Sequence, residues 1–184
     1  MGQAIRKLLI LLAGSALALG PPGARPARAD APTLEHQVKS AFVVNFIQFI
    51  DWPAASFDKP DDPLIIGLVD GGGMGQAMTA AVEGKTVRGH KLVIREFTAA
   101  TVGKCHVLVV GGLDGAALQN AAKAAGGAGV LTIGDSDRFT DSGGVIRFYL
   151  EDGKLRFEIN LAAAQRAQLQ ISSKLLKLAR VVNQ

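Results

Sequence analysis

The sequence predicts a single α/β domain: a mixed β-sheet with helices on both faces, ending in a C-terminal β-hairpin plus helices. Three observations carry this. The run at 64–69 is continuously apolar rather than alternating, and 105–110 and 130–133 read as two further buried strands, as in strands covered on both faces. Helix-like stretches separate these runs, the order that builds a largely parallel sheet. Asp152-Gly153 then lies between two strand-like runs, a strong hairpin signal.

The elements follow in order. Thr33 is placed to cap a helix running to about residue 50. Leu34, Val38, Ala41, Phe42, Asn45 and Phe49 share its expected core face. Residues 41–50 are apolar on nearly every side, interrupted only by Asn45 and Gln48, so this helix is buried all round or offers a face to a partner. Trp52-Pro53 closes it, because the residue before proline avoids helical geometry. A strand at 64–69 leads through the glycine-rich stretch 71–75 into a helix over 74–82. Residues 91–97 alternate as a strand, 105–110 form a second buried strand, 116–125 an alanine-rich helix and 130–133 a third buried strand. The hairpin pairs 144–150 with 155–160. A last helical region covers 161–182, broken near 170–172, with Ser172 or Ser173 capping its second piece and Leu175, Leu178, Ala179 and Val182 facing the core.

The chain has 184 residues and formal net charge +4. Residues 1–29 hold Arg6, Lys7, Arg25 and Arg28 and no acid, so the remaining 16 bases balance the 16 acids. A neutral domain gives no electrostatic case for nucleic acid. Residues 1–29 read as a signal peptide: Arg6-Lys7, an apolar stretch over 8–19, then Ala27-Arg28-Ala29. Cleavage is expected near Ala29, leaving 30–184 as one exported, periplasmic domain. The apolar stretch, ended by Gly20-Pro21-Pro22-Gly23, is shorter than the roughly 20 residues of a spanning helix. Cys105 is the single cysteine, which excludes an internal disulfide and leaves burial or an intermolecular bridge.

Candidate chemistry is sparse. Gly71, Gly72 and Gly73 open a helix after a strand, where anions bind, but Gln76 breaks the G-x-G-x-x-G spacing and no Gly-Lys-Ser/Thr follows. With Asp135 and Asp137 they form candidate ligand loops. The 135–141 stretch lacks the glycine and glutamate of a calcium loop. His36, His90 and His106 are too scattered to predict a metal site. Cys105 and His106, adjacent on a strand, point to opposite faces and make no simple dyad. Lys39, Asn45, His106, Glu158 and Asn160 read as structural polar residues. Glu158 is expected to pair with a helix base such as Lys39 or Lys174. No catalytic set assembles, and no cofactor is expected. If the first face of the helix packs on the sheet, Val43, Ile47 and Ile50 form a second stripe. With Trp52 that stripe would meet a partner or a second subunit; the alternative is burial under another element.

The order of motifs resembles the YfiR family of exported bacterial proteins. It begins with Glu35-His36-Gln37-Val38-Lys39-Ser40-Ala41-Phe42-Val43-Val44-Asn45-Phe46 and Phe49-Ile50-Asp51-Trp52-Pro53. Cys105-His106-Val107-Leu108, Leu131-Thr132-Ile133-Gly134-Asp135, Gly143-Gly144-Val145-Ile146, Phe157-Glu158-Ile159-Asn160 and Ile171-Ser172-Ser173-Lys174-Leu175-Leu176 follow in the family's order. The resemblance implies a periplasmic α/β regulator without known enzymatic activity. It further implies repression of an inner-membrane diguanylate cyclase through that enzyme's periplasmic part, relief by an outer-membrane-associated partner, control of cyclic di-GMP and biofilm formation, and a homodimer. Only Cys105 matches a family cysteine, so disulfide-based control is not carried over. A small-ligand sensor using loops 70–75 and 134–142 is the alternative, and an enzyme is a third reading.

Overall fold

Thr33 sets the first helix. Its hydroxyl accepts the His36 N–H while His36 Nδ1 accepts the Thr33 N–H, at 3.2 and 3.3 Å, which closes a capping box. This starts α1 (Leu34–Gln48) in a computed structural model that describes residues 31–69 and 71–183. The expected leader, residues 1–29, and Asp70 lie outside the described residues.

The chain continues through β1 (Ile50–Asp51), a short 3₁₀ turn (Ala54–Ser56), β2 (Leu64–Val69) and α2 (Gly72–Val82). Then come β3 (Thr86–Val87), β4 (His90–Phe97), β5 (Val107–Val110), α3 (Gly115–Ala124) and β6 (Leu131–Gly134). The hairpin is β7 (Ile146–Glu151) and β8 (Lys154–Asn160), followed by α4 (Leu161–Arg166), β9 (Gln170–Ile171), α5 (Ser173–Leu176) and β10 (Arg180–Val182).

Among the described residues, eight strands form one mixed sheet in the order β10-β8-β7-β6-β5-β2-β4-β3, and β1 pairs with β9 apart from it. The run from β4 to β7 is parallel, whereas β7 with β8 and β3 with β4 are antiparallel. The expected hairpin forms around Asp152 and Gly153, whose φ angles of 51° and 69° are those of a two-residue turn with both centres left-handed.

Strand alternation divides the core in two, as an α/β sheet requires. Leu64, Ile66 and Leu68 of β2 pack with Val43, Phe46 and Ile47 of α1 and Met78 of α2. On the other face Ile65, Val69, Leu108 and Val110 pack with Leu118 and Ala121 of α3. Gly67 faces this second side: a Cβ there would lie 2.9 Å from the Phe97 ring and 3.0 Å from Cys105 Sγ. Fully buried Phe139 sits between Gly134 and Gly144, and a Cβ on either glycine would overlap its ring.

Three expectations are corrected. In α1 the inward side is Val43, Val44, Phe46 and Ile47, while Leu34, Val38 and Asn45 are exposed. The rings of Phe46, Phe148 and Phe157 draw the helix round: Phe46 lies 5.7 Å from Phe148 and 4.7 Å from Phe157. The C-terminal region is not helical to 182. It alternates short helices with β9 and β10, and Leu178 is exposed. The helix after residue 71 starts at Gly72, ahead of the expected start at 74.

The groove beside the first helix and the polar ladder beneath it

The chain runs from β2 to β4 on one side of β2, then returns to β5 on the other. Ligands of open α/β sheets bind at such a reversal, beyond the carboxyl ends of the strands. Here the reversal forms a crevice of about 140 Å³, lined in part by Val69, Gly71, Val110 and Asp135, with His36 and Lys39 of α1 over it. Sites for small organic ligands hold about 300–1,000 Å³. The first helix occupies the place a ligand would need.

Lys39 fixes that arrangement. Its ammonium reaches Glu35 at 2.7 Å and Asp135 at 2.8 Å, with only 12% of the side chain exposed. Burial alone would lower its pKa, but the two carboxylates more than offset this and raise it. The charge therefore persists at any physiological pH. Of the candidate ligand loops, Gly71 and Asp135 line the crevice. Gly72 and Gly73 lie in the first turn of α2. Asp137 is fully exposed and touches Arg147 at 3.3 Å.

A larger, open groove of about 600 Å³ begins at Asp135 and runs over the hairpin, with Glu35, Asp137, Tyr149, Leu150 and Glu151 among its walls. Leu34 and Val38 of α1 and Leu150 of β7 are exposed large apolar residues. Beneath the groove lies a ladder across β7, β8 and β10. Glu158 Oε1 accepts from Arg147 Nε at 2.7 Å and from Thr140 Oγ1 at 2.8 Å, and Oε2 accepts from Arg180 Nε at 2.9 Å. Burial would raise the Glu158 pKa, but these donors more than offset it and hold it below the usual value. Both guanidinium groups also stand over the Tyr149 ring, at 5.5 and 4.2 Å.

The partners of Glu158 are therefore Arg147 and Arg180, not Lys39 or Lys174. Arg147 was legible: a two-residue turn at 152–153 puts it opposite Glu158. Arg180 was hidden because β10 reads as helix in sequence. Asn160 is fully buried, donates to the Thr140 carbonyl at 3.0 Å and caps α4 through the Ala163 N–H.

Val43, Ile47 and Ile50 are fully buried in the domain's own core, so they form no surface stripe. Trp52 is half-buried and donates from Nε1 to the His106 carbonyl at 3.2 Å. Cys105 is buried, and desolvation pushes its thiol up to about 12 despite Arg95 and a Gly67 hydrogen bond. It is a thiol, not a thiolate. Both ring nitrogens of His106 bond to backbone groups, so the imidazole has no free nitrogen to act as a base.

The doubly wound sheet thus carries a small crevice covered by the first helix and, beside it, an open groove lined by charged residues. The chain belongs to the YfiR/HmsC-like family, whose description matches residues 36–180. At the level of that family it is a periplasmic regulator connected with diguanylate cyclase, regulatory rather than catalytic. No curated protein matches the chain. No helix among the described residues is long and apolar enough to cross a membrane.

Proposed function

We propose that the leader exports this chain, is cleaved near Ala29, and leaves a periplasmic domain that represses an inner-membrane diguanylate cyclase. The domain binds the cyclase's periplasmic sensor part and holds it inactive. Cyclic di-GMP stays low and biofilm formation is restrained. An outer-membrane-associated partner relieves the repression by competing for the domain, which acts as a homodimer. Repression then needs only that the domain bind the inactive form of the cyclase more tightly than the active one.

The observation that carries this reading is the family match over nearly the whole described chain. The groove supports it and names a surface. Its walls carry four acids, Glu35, Asp135, Asp137 and Glu151, and three bases, Lys39, Arg147 and Arg180; Lys39 is paired with Glu35 and Asp135, and both arginines with Glu158, so the surplus is one acid. With Leu150 exposed on the groove wall and Leu34 and Val38 exposed on the bordering helix, the cyclase segment that fits carries apolar side chains and a basic group.

The test is cyclic di-GMP in cells with and without the gene, complemented by the full chain, by a form lacking residues 1–29, and by a Val38→Asp/Leu150→Asp variant. A rise on deletion, cured only by the exported form, supports periplasmic repression. Failure of the folded double variant to cure it places the contact on the groove. An unchanged level under several growth conditions overturns the reading.

A further inference from the structure

On the side away from the groove, the sheet ends in β4 and β3. β3 covers only the start of β4, pairing Thr86 with Lys91 and Val87 with His90. The Leu92 N–H still reaches the Lys85 carbonyl at 3.1 Å. That bond sets the phase of the strand, because successive residues turn their backbone groups to opposite edges. Ile94 and Glu96 therefore point outward, while Val93, Arg95 and Phe97 turn to β2. Among the described residues nothing bonds to the outward N–H and C=O groups of Ile94 and Glu96. An open strand edge of this kind is a template for another strand.

The side chains decide what the added strand must carry. On one face Ile94 packs against the core and Glu96 is exposed; on the other, half-buried Val93 and Phe97 flank exposed Arg95. Arg95 lines a cleft on that face with Lys104, Asp58 and Asp62, yet among the described residues it forms no ion pair. An antiparallel strand that satisfies both Ile94 and Glu96 holds them in hydrogen-bonded positions. Its middle residue then lies opposite Arg95, in the non-hydrogen-bonded position where side chains come closest. A second copy of this chain could make the same main-chain bonds, but its Arg95 would face Arg95, and like charges directly opposite are destabilising. The charge calls for an acid there instead.

We propose that the outer edge of β4 binds an extended segment of a partner protein by strand addition, and that this segment carries an acid opposite Arg95 between apolar residues opposite Val93 and Phe97. At the two positions between, Glu96 calls for a base and Ile94 for an apolar residue. Read from its amino end, the segment is apolar, basic, acidic, apolar, apolar. Main-chain bonds supply the affinity, and these side chains make the choice of partner. The edge lies toward the other end of the sheet from the groove, and the inference stands whether or not the groove meets a cyclase.

The probe is a synthetic peptide with capped ends, Thr-Val-Lys-Glu-Val-Val, and its control carries Lys in place of Glu. Each is titrated to about 1 mM into purified protein, with amide hydrogen exchange followed residue by residue. In free protein the Ile94 and Glu96 amides are expected to exchange within about tenfold of the intrinsic rate, and those of Val93 and Arg95 more slowly. The acidic peptide slows exchange at Ile94 and Glu96 and binds about tenfold more tightly than the control, the combined effect of one attractive pair gained and one repulsive pair avoided. Arg95→Glu reverses this preference, and Arg95→Gln, which leaves no charge to read, binds both peptides alike. Failure of the acidic peptide to protect these two amides overturns the proposal, as does a preference unchanged in Arg95→Glu and Arg95→Gln. Protection of Ile94 and Glu96 that rises with protein concentration in the absence of peptide assigns the edge to a second copy and overturns it too.

Discussion

Glu158→Gln removes one charge from the ladder and nothing from its shape. The Glu158 side chain is 5% exposed and that of Arg147 is 11% exposed, whereas Arg180 is 49% exposed. Removing one partner of a buried pair costs about 3–5 kcal/mol, because the remaining charge is stranded. The half-exposed contact with Arg180 adds at most about 1 kcal/mol. Arg147 keeps a second acid, Asp137, at 3.3 Å, which places the total near the low end, about 3 kcal/mol. For a domain of this size that lowers Tm by roughly 6–12 °C, measured by circular dichroism at pH 7. The comparison variant Arg180→Met is expected to cost about 1 kcal/mol. The pH dependence supplies a second check. The folded pKa of Glu158 is depressed below 4.5, so its contribution is present above that pH and is lost as pH falls through the folded value. Wild type and Glu158→Gln therefore converge in acid. A Tm loss under about 2 °C at neutral pH, or a gap unchanged by acid, would refute the reasoning, because either result means the carboxylate is not worth its buried partner.

Three further outcomes follow from the packing. Gly144→Ala puts a methyl into the Phe139 ring and is expected to cost about 1–3 kcal/mol by denaturant melt, with partial recovery when Phe139→Leu is added. Val43→Asp with Ile47→Asp buries two charges at positions of 0% exposure and abolishes folding; Leu34→Asp with Val38→Asp, on the open side of the same helix, leaves the circular dichroism spectrum intact. Cys105 resists a thiol reagent at pH 8 in native protein and reacts at once in denaturant, since burial holds it protonated; rapid native labelling would contradict this.

The sequence was most readable where one face rule decides. The parallel strands at 64–69, 107–110 and 131–134 announce themselves because both faces are covered and the run is unbroken. The hairpin declares itself through Asp152-Gly153, and its register follows from the turn alone. The helix cap at Thr33 and the break near Gln170 were equally legible. What failed was the side of α1 facing inward. Its apolar residues surround the helix, so periodicity cannot choose, and the aromatic cluster with Phe148 and Phe157, over 100 residues away, makes the choice. Short strands were also hidden. Ile50–Asp51, Thr86–Val87, Gln170–Ile171 and Arg180–Val182 have two or three residues each, too few for any period. They exist because a partner strand supplies their hydrogen bonds. The candidate site inherits both failures: Arg180 entered the ladder only through a strand that reads as helix.

The structure also weighs the ligand-sensor alternative against regulation by contact. A ligand at the sheet's carboxyl end must displace α1 from over the crevice, and that means breaking the Lys39 pairs with Glu35 and Asp135. The helix cannot tilt there alone. Val43, Phe46 and Ile47, less than three turns further along, are core residues packed on the sheet and α2. Moving them re-exposes side chains worth about 1.5–3 kcal/mol each, so a ligand must return several kcal/mol before any net binding appears. A protein partner faces no such cost at the groove. Leu34, Val38 and Leu150 are already exposed, Glu35 and Asp137 already line the wall, and the arginines below are already held in place by Glu158. A surface organised before binding loses little on association. Under the proposed function the same helix serves twice: His36 and Lys39 cover the crevice, and Glu35 and Lys39 border the open groove that a larger partner would meet.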